Sequence, residues 1–140
     1  MSDTPQGDPY DWYQRGMELL EQGNADAAAV LIDRVLRVEP GSTSAREAYA
    51  RAMFDARRYE DAVIAFNMLA ERAPDSDYAH YGLGISLWRL QRFTESEEQL
   101  AMAFVMKPEN AEYGKALAQV RATLRERLKA GLPTDGPVHP

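Results

Sequence analysis

Pro40, Pro74 and Pro108 recur at intervals of 34 residues, and writing the chain on that period brings other positions into register. Small residues fall in one column (Gly16, Ala50, Gly84) and again in a second (Ala28, Ala62, Ser96). Short polar residues share a third (Asp8, Ser42, Ser76, Asn110), and bulky apolar residues a fourth (Ile32, Phe66, Leu100). A repeat of this length with two helix-periodic apolar stretches per unit predicts stacked helix–turn–helix units. One such unit cannot bury its apolar face alone, so its neighbours must cover it. The constraint bears on function as well, because a stack of helix pairs offers an extended surface and no built-in catalytic cleft.

The period divides the chain into units 9–42, 43–76 and 77–110, preceded by a disordered tail at 1–8. In the first unit Asp8 caps a helix that opens with Pro9, whose fixed φ and missing N–H suit the first helical position. Tyr13, Met17 and Leu20 carry its apolar spacing, and Gly23-Asn24 stops it and caps the next helix. Ala28, Leu31, Ile32, Val35 and Leu36 form the stripe of that second helix. Arg57-Arg58 and Gln91-Arg92 stand where the other units need the same turn, without the usual glycine. A seventh helix is expected over 111–130, with Tyr113, Leu117, Val120, Leu124 and Leu128 as its buried stripe. No partner helix follows, so it reads as a cap on the array. Residues 131–140, rich in proline and glycine, read as a second disordered tail.

Composition narrows the function further. The net charge is −6 over 140 residues, which argues against a nucleic-acid backbone as partner. With no cysteine, disulfides and thiolate metal sites are excluded. The N-terminus is acidic and lacks an apolar signal core, and no apolar run approaches the ~20 residues of a membrane helix. The expectation is a soluble, cytoplasmic protein that requires no cofactor or metal and does not bind membranes. Helix 7 holds five basic and two acidic side chains, read as a solvated face favoured by the helix dipole. His139 lies in the tail and His80 in a packing column, and no nucleophile motif or phosphate loop is present, so the chain does not read as an enzyme.

The columns resemble the tetratricopeptide repeat pattern. It is visible as Trp12, Gly16, Leu19, Ala28, Ile32 and Pro40, then as Tyr49-Ala50, Met53, Ala62, Phe66 and Pro74. The third copy is Leu83-Gly84, Leu87, Ser96, Leu100 and Pro108. Arg46 and His80 depart from it in the Trp column, and Arg15 replaces Leu before Gly16. The resemblance implies an all-α, right-handed superhelical solenoid of three antiparallel helix pairs plus a seventh capping helix. It also implies a concave groove lined by the first helix of each pair and by the capping helix. Tyr10, Ser44 and Tyr78 then stand at its edge, followed by Tyr13, Glu47, Tyr81 and Lys115. Met17, Arg51, Ile85 and Gln119 lie deeper, Leu20, Phe54 and Trp88 behind them, and Glu21, Asp55 and Arg89 to the side. Glu47 and Arg51 are spaced as an ion pair. The clamp by which family co-chaperones grip a C-terminal carboxylate is missing, because its columns hold Tyr13, Met17, Ala48, Tyr78 and Gly82. The resulting expectation is an adaptor or chaperone-like module that binds an apolar peptide segment of another protein. The alternative is a homodimer or higher homo-oligomer using the same groove, and a third possibility places the C-terminal tail in it.

Overall fold

The computed structural model describes residues 7–138. Among them are seven helices and no strand: α1 (Pro9–Glu21), α2 (Ala25–Val38), α3 (Thr43–Asp55), α4 (Tyr59–Arg72), α5 (Asp77–Arg89), α6 (Phe93–Met106) and α7 (Ala111–Lys129). They form two compact units, one ending at Arg58 and the other beginning at Tyr59. The division falls between the two helices of the second 34-residue repeat. In the first unit α2 packs on α1 and on α3; in the second α5 packs on α4 and α6, and α6 on α7. Residues 1–6 of the N-terminal tail and His139 lie outside the described residues.

The third column is the helix-capping column. Asp8 and Asp11 form a reciprocal capping box at the start of α1, each side chain accepting from the other's backbone N–H at 3.1–3.2 Å. Ser42 and Ser76 accept from the N–H groups of Ala45 and Ala79, and Asn110 from that of Glu112. Each oxygen satisfies one of the backbone donors a helix start leaves open. Asn24, expected to cap α2, makes no such bond.

Helices α1, α3, α5 and α7 end alike. The last turn closes by paired backbone bonds, Asn24 N to Leu19 O with Gly23 N to Leu20 O, then Arg58 to Met53 with Arg57 to Phe54. The same pairs recur as Arg92 to Leu87 with Gln91 to Trp88, and Leu132 to Arg127 with Gly131 to Leu128. This motif demands a left-handed residue, and the four are Gly23 (φ 83°), Arg57 (63°), Gln91 (60°) and Gly131 (70°). Only the glycines adopt that geometry without a Cβ penalty. Arg57→Gly and Gln91→Gly should therefore each stabilise the fold by up to about 1 kcal/mol in urea titrations.

Close helix crossings explain the small columns. A Cβ on Gly16 would stand 2.8 Å from Ile32 Cγ1, and one on Gly84 2.6 Å from Leu100 Cγ. The buried Ser96 hydroxyl donates to Gly84 O at 2.7 Å, so the same crossing is sealed by a hydrogen bond. The departures from the Trp column share one role. Arg46 donates to Pro40 O at 2.7 and 2.9 Å, and His80 Nε2 donates to Pro74 O at 3.0 Å. Both tie a first helix to the proline that precedes it. His80 Nδ1 pairs with the Gln99 amide at 2.8 Å, a structural use of the ring.

Two expectations about the C-terminus are corrected. The buried side of α7 continues from Tyr113, Leu117 and Val120 to Arg127, which is 8% exposed, while Leu128 is 75% exposed. The second concerns residues 131–140, read as disordered. Residues 131–136 instead turn back as a strap on the start of α6. Thr94 donates to Asp135 from its backbone N–H (2.9 Å) and its hydroxyl (3.0 Å), and Gly136 N donates to Gln91 O at 2.8 Å. The physical reason is a vacancy: Arg92 at the N-cap position of α6 makes no side-chain cap, and Asp135 supplies the missing oxygen from 41 residues away.

Burial pushes the Asp135 carboxyl up, but hydrogen bonds from Thr94, Phe93 and Thr134 outweigh it and leave the group below its ordinary 3.8. Arg92, which also faces Glu95 and Glu60, adds its charge nearby. A depressed carboxyl stabilises the folded strap above the unfolded-state value, and that stabilisation is lost as pH falls through the folded one. Thr94 amide protection should accordingly hold from neutral pH down to the ordinary aspartate range and be lost only as the pH falls below it. Asp135→Asn should remove this dependence in exchange measured by NMR.

Candidate protein-binding surface

Each unit carries part of the expected surface. In the first unit, Tyr13 and Met17 are half-buried on α1 and Tyr10 is exposed, its hydroxyl accepting from Gln14 Nε2 at 2.7 Å. Tyr13 stands between two clefts. One, of ≈ 370 Å³, is bounded by Tyr13, Met17, Glu18 and Glu21. The other, of ≈ 280 Å³, is bounded by Tyr10, Tyr13, Val35 and Ser44. Leu20 takes no part; at 5% exposure it belongs to the core. Glu47, Arg51 and Phe54 are half-buried on α3. Arg51 turns to Asp55, with Nε 3.5 Å from Oδ2, rather than to Glu47. Both partners lie one turn away, and the C-terminal one captured the guanidinium.

In the second unit Tyr81, Ile85 and Trp88 follow one another at helical spacing on α5. They pack partly buried against Phe93, Leu100, Leu117 and Val120. The Tyr81 ring lies 4.8 Å from that of Tyr113, and Trp88 meets Phe93 edge to face at 4.9 Å. Tyr78 meets Phe66 in the same manner at 5.8 Å. Each aromatic thus keeps one side in the core, which fixes its orientation without removing it from solvent. Lys115 and Gln119 are exposed on α7, and Arg89 holds its guanidinium 5.6 Å over the Tyr59 ring.

Tyr113 is buried and donates its hydroxyl to Asp77 Oδ2 at 2.6 Å. Burial first, and then this bond to a carboxylate, hold its phenol well above the usual 10.0. Burial also raises Tyr81, with Glu112 adding to the shift. Both rings are therefore neutral at physiological pH, and the face they form is apolar with a hydrogen-bonding edge.

A cleft of ≈ 340 Å³ on the second unit lies outside the expected columns. It runs between α4 and α6, with Ile64 and Met68 on one side, Leu83 and Leu87 among its lining, and Glu95 and Glu98 opposite. The available signal was Ile64 and Met68, apolar residues outside the core columns. Among the described residues no helix is long and apolar enough to cross a membrane.

Helix pairs joined by the same turn, capped at the same column and presenting aromatics from their first helices define a helical-repeat protein-interaction module. Tetratricopeptide repeat models match residues 19–80 and 69–111, and the chain belongs to the tetratricopeptide repeat family. No curated protein matches it. Among solved structures it is similar to MamA (residue 41 to the end) from Desulfovibrio magneticus RS-1. That match has a TM-score of 0.81 and 22% identity, over 90% of this chain and 71% of the other. The first such domain of Spaghetti (RPAP3), bound to the HSP90 peptide SRMEEVD, gives 0.79 and 18% over 84% and 93%. TTC0263, a thermophilic repeat protein of Thermus thermophilus, gives 0.76 and 23% over 88% and 69%.

Proposed function

We propose that the chain is a non-catalytic adaptor or chaperone-like module whose first-helix faces bind a protein segment carrying apolar side chains. The observation that supports this most is the way Tyr81, Ile85 and Trp88 are held. They form an apolar ladder on one helix face, backed by core and facing outward. Anchoring residues of this kind spend little conformational entropy on binding and dominate interface energies. The clefts at Tyr13 give the first unit hollows for side chains, one of them bordered by Glu18 and Glu21, which favours a basic side chain there.

A carboxylate clamp of the co-chaperone kind is not part of the reading. Ala48 and Gly82 occupy two of its columns and are buried, so neither position presents a side chain to a ligand. The similar domain bound to an HSP90 peptide therefore supports peptide binding by the fold, with different chemistry here.

The test starts from 12-residue peptides selected against the full chain from a random displayed library. The strongest binder is then titrated by calorimetry. Tyr81→Ala should weaken it by roughly 10- to 100-fold, as expected for removal of an aromatic anchor, with the helical circular dichroism unchanged. Equal affinity in the folded variant would refute the α5 face as the site. Light scattering over a concentration series checks self-association: the reading expects a concentration-independent monomer, and a dimer that Tyr81→Ala dissolves would replace it with the homo-oligomer.

A further inference from the structure

The strap, the buried Arg127 and the α5 face are joined by a continuous series of contacts within the second unit. Asp135 and Gly136 fix the strap at the start of α6. Two strap carbonyls, Pro133 O and Gly136 O, then accept from the same Arg127 Nη1 at 3.1 and 2.7 Å. The guanidinium so held lies 4.8 Å over the Phe93 ring, and Phe93 in turn meets Trp88 edge to face. The described partners of Arg127 are carbonyls and a ring, with no carboxylate among them. A buried cation satisfied in this way depends on those carbonyls, because the unpaired charge would be driven back to water. Its departure would uncover Phe93 and leave Trp88 without its backing.

We propose that the C-terminal strap is a positioning element: acting through Arg127 and Phe93, it holds Trp88 in the orientation that the α5 face presents to a partner. Its bearing on binding rests on the protein-binding reading above; the control of Trp88 does not. The strap's described hydrogen bonds run to Gln91, Phe93, Thr94 and Arg127, so it is a support of the face and not its occupant.

Trp88 can be observed alone in a Trp12→Phe background, which removes an indole N–H that is buried without a partner. In that full-length parent, Arg127→Met should red-shift Trp88 emission and raise its quenching by acrylamide, with helical circular dichroism retained. Arg127→Lys, which keeps a cationic donor, should recover much of the parent signal. Asp135→Ala should produce the same Trp88 response and also speed Thr94 amide exchange by roughly five-fold, the loss expected of a helix cap. Native Trp88 emission and quenching in Arg127→Met, and again in a chain ending at Ala130, would overturn the proposal. Peptide affinity is read separately on the same variants: weakened binding by Arg127→Met with recovery by Arg127→Lys supports the positioning role. A parent that binds no selected peptide would overturn the binding reading alone, since the Trp88 response needs no ligand.

Discussion

Phe66→Ala is expected to destabilise the second unit by about 3–5 kcal/mol, the cost of deleting a fully buried aromatic ring and leaving a void. Phe66 is 2% exposed, the bulky member of its repeat, and meets both Tyr78 and the backbone at Gly82. Helical segments on two sides border the void, so collapse to fill it would require moving whole helices. Urea titration followed by circular dichroism should show a correspondingly lower midpoint. A thermal scan should show a fall of roughly 10–15 °C for a chain of this size. A loss under about 1 kcal/mol would mean that the crossing of α4 and α5 is not packed as described.

Gly82→Leu should also destabilise the second unit, though by less, because two effects of opposite sign compete. Helix propensity alone favours the change by about 0.8–1 kcal/mol, since glycine is a poor residue inside a helix. Against it, a Cβ on Gly82 would clash with Cε1, Cζ and Cδ1 of the Phe66 ring, which lies at the core and has no solvent side to swing toward. Overpacking of this kind costs about 1–3 kcal/mol, with the upper end expected where the obstructing group is a rigid ring. Net destabilisation of about 2 kcal/mol therefore follows, and a stabilised variant would refute the contact. The two substitutions should also compensate each other. In Phe66→Ala/Gly82→Leu the leucine enters space that the ring vacated, so the double variant should be more stable than the sum of the single losses by at least about 1 kcal/mol.

Gly82 shows where the sequence was legible and where it was not. Gly16 and Gly84 stood in a column of small residues, and the structure gives that column its cause in the clashes with Ile32 and Leu100. Gly82 shares its column with Gln14 and Ala48, so periodicity carried no sign that a ring lies over it. Repeats reveal what every unit does and conceal what one unit does alone. The capping column was legible for the same reason, and so was the turn at Arg57-Arg58 and Gln91-Arg92, where tertiary packing holds Arg57 and Gln91 left-handed without the usual glycine.

The C-terminus was hidden for a different physical reason. A proline- and glycine-rich tail with no periodicity carries no local signal of order, and its anchor is a long-range bond between Asp135 and Thr94. From hydrophobicity alone, Arg127 likewise belongs with the solvated side chains of α7 and Leu128 with the buried ones. The strap carbonyls and the Phe93 ring make the arginine the better occupant of that position. For the candidate surface, Tyr13, Tyr81, Ile85 and Trp88 occupy half-buried positions on their first helices, whereas Leu20 is core and Arg51 pairs with Asp55.

The central claim is that the first-helix faces take a peptide. The most direct measurement is amide shift mapping of the ¹⁵N-labelled full chain during titration with the strongest selected peptide. The account predicts the largest changes at Tyr78, Tyr81, Ile85 and Trp88 on α5, with Lys115 on α7. Changes confined to Ile64, Met68 and Glu98 along the cleft between α4 and α6, with the α5 face unmoved, would contradict it.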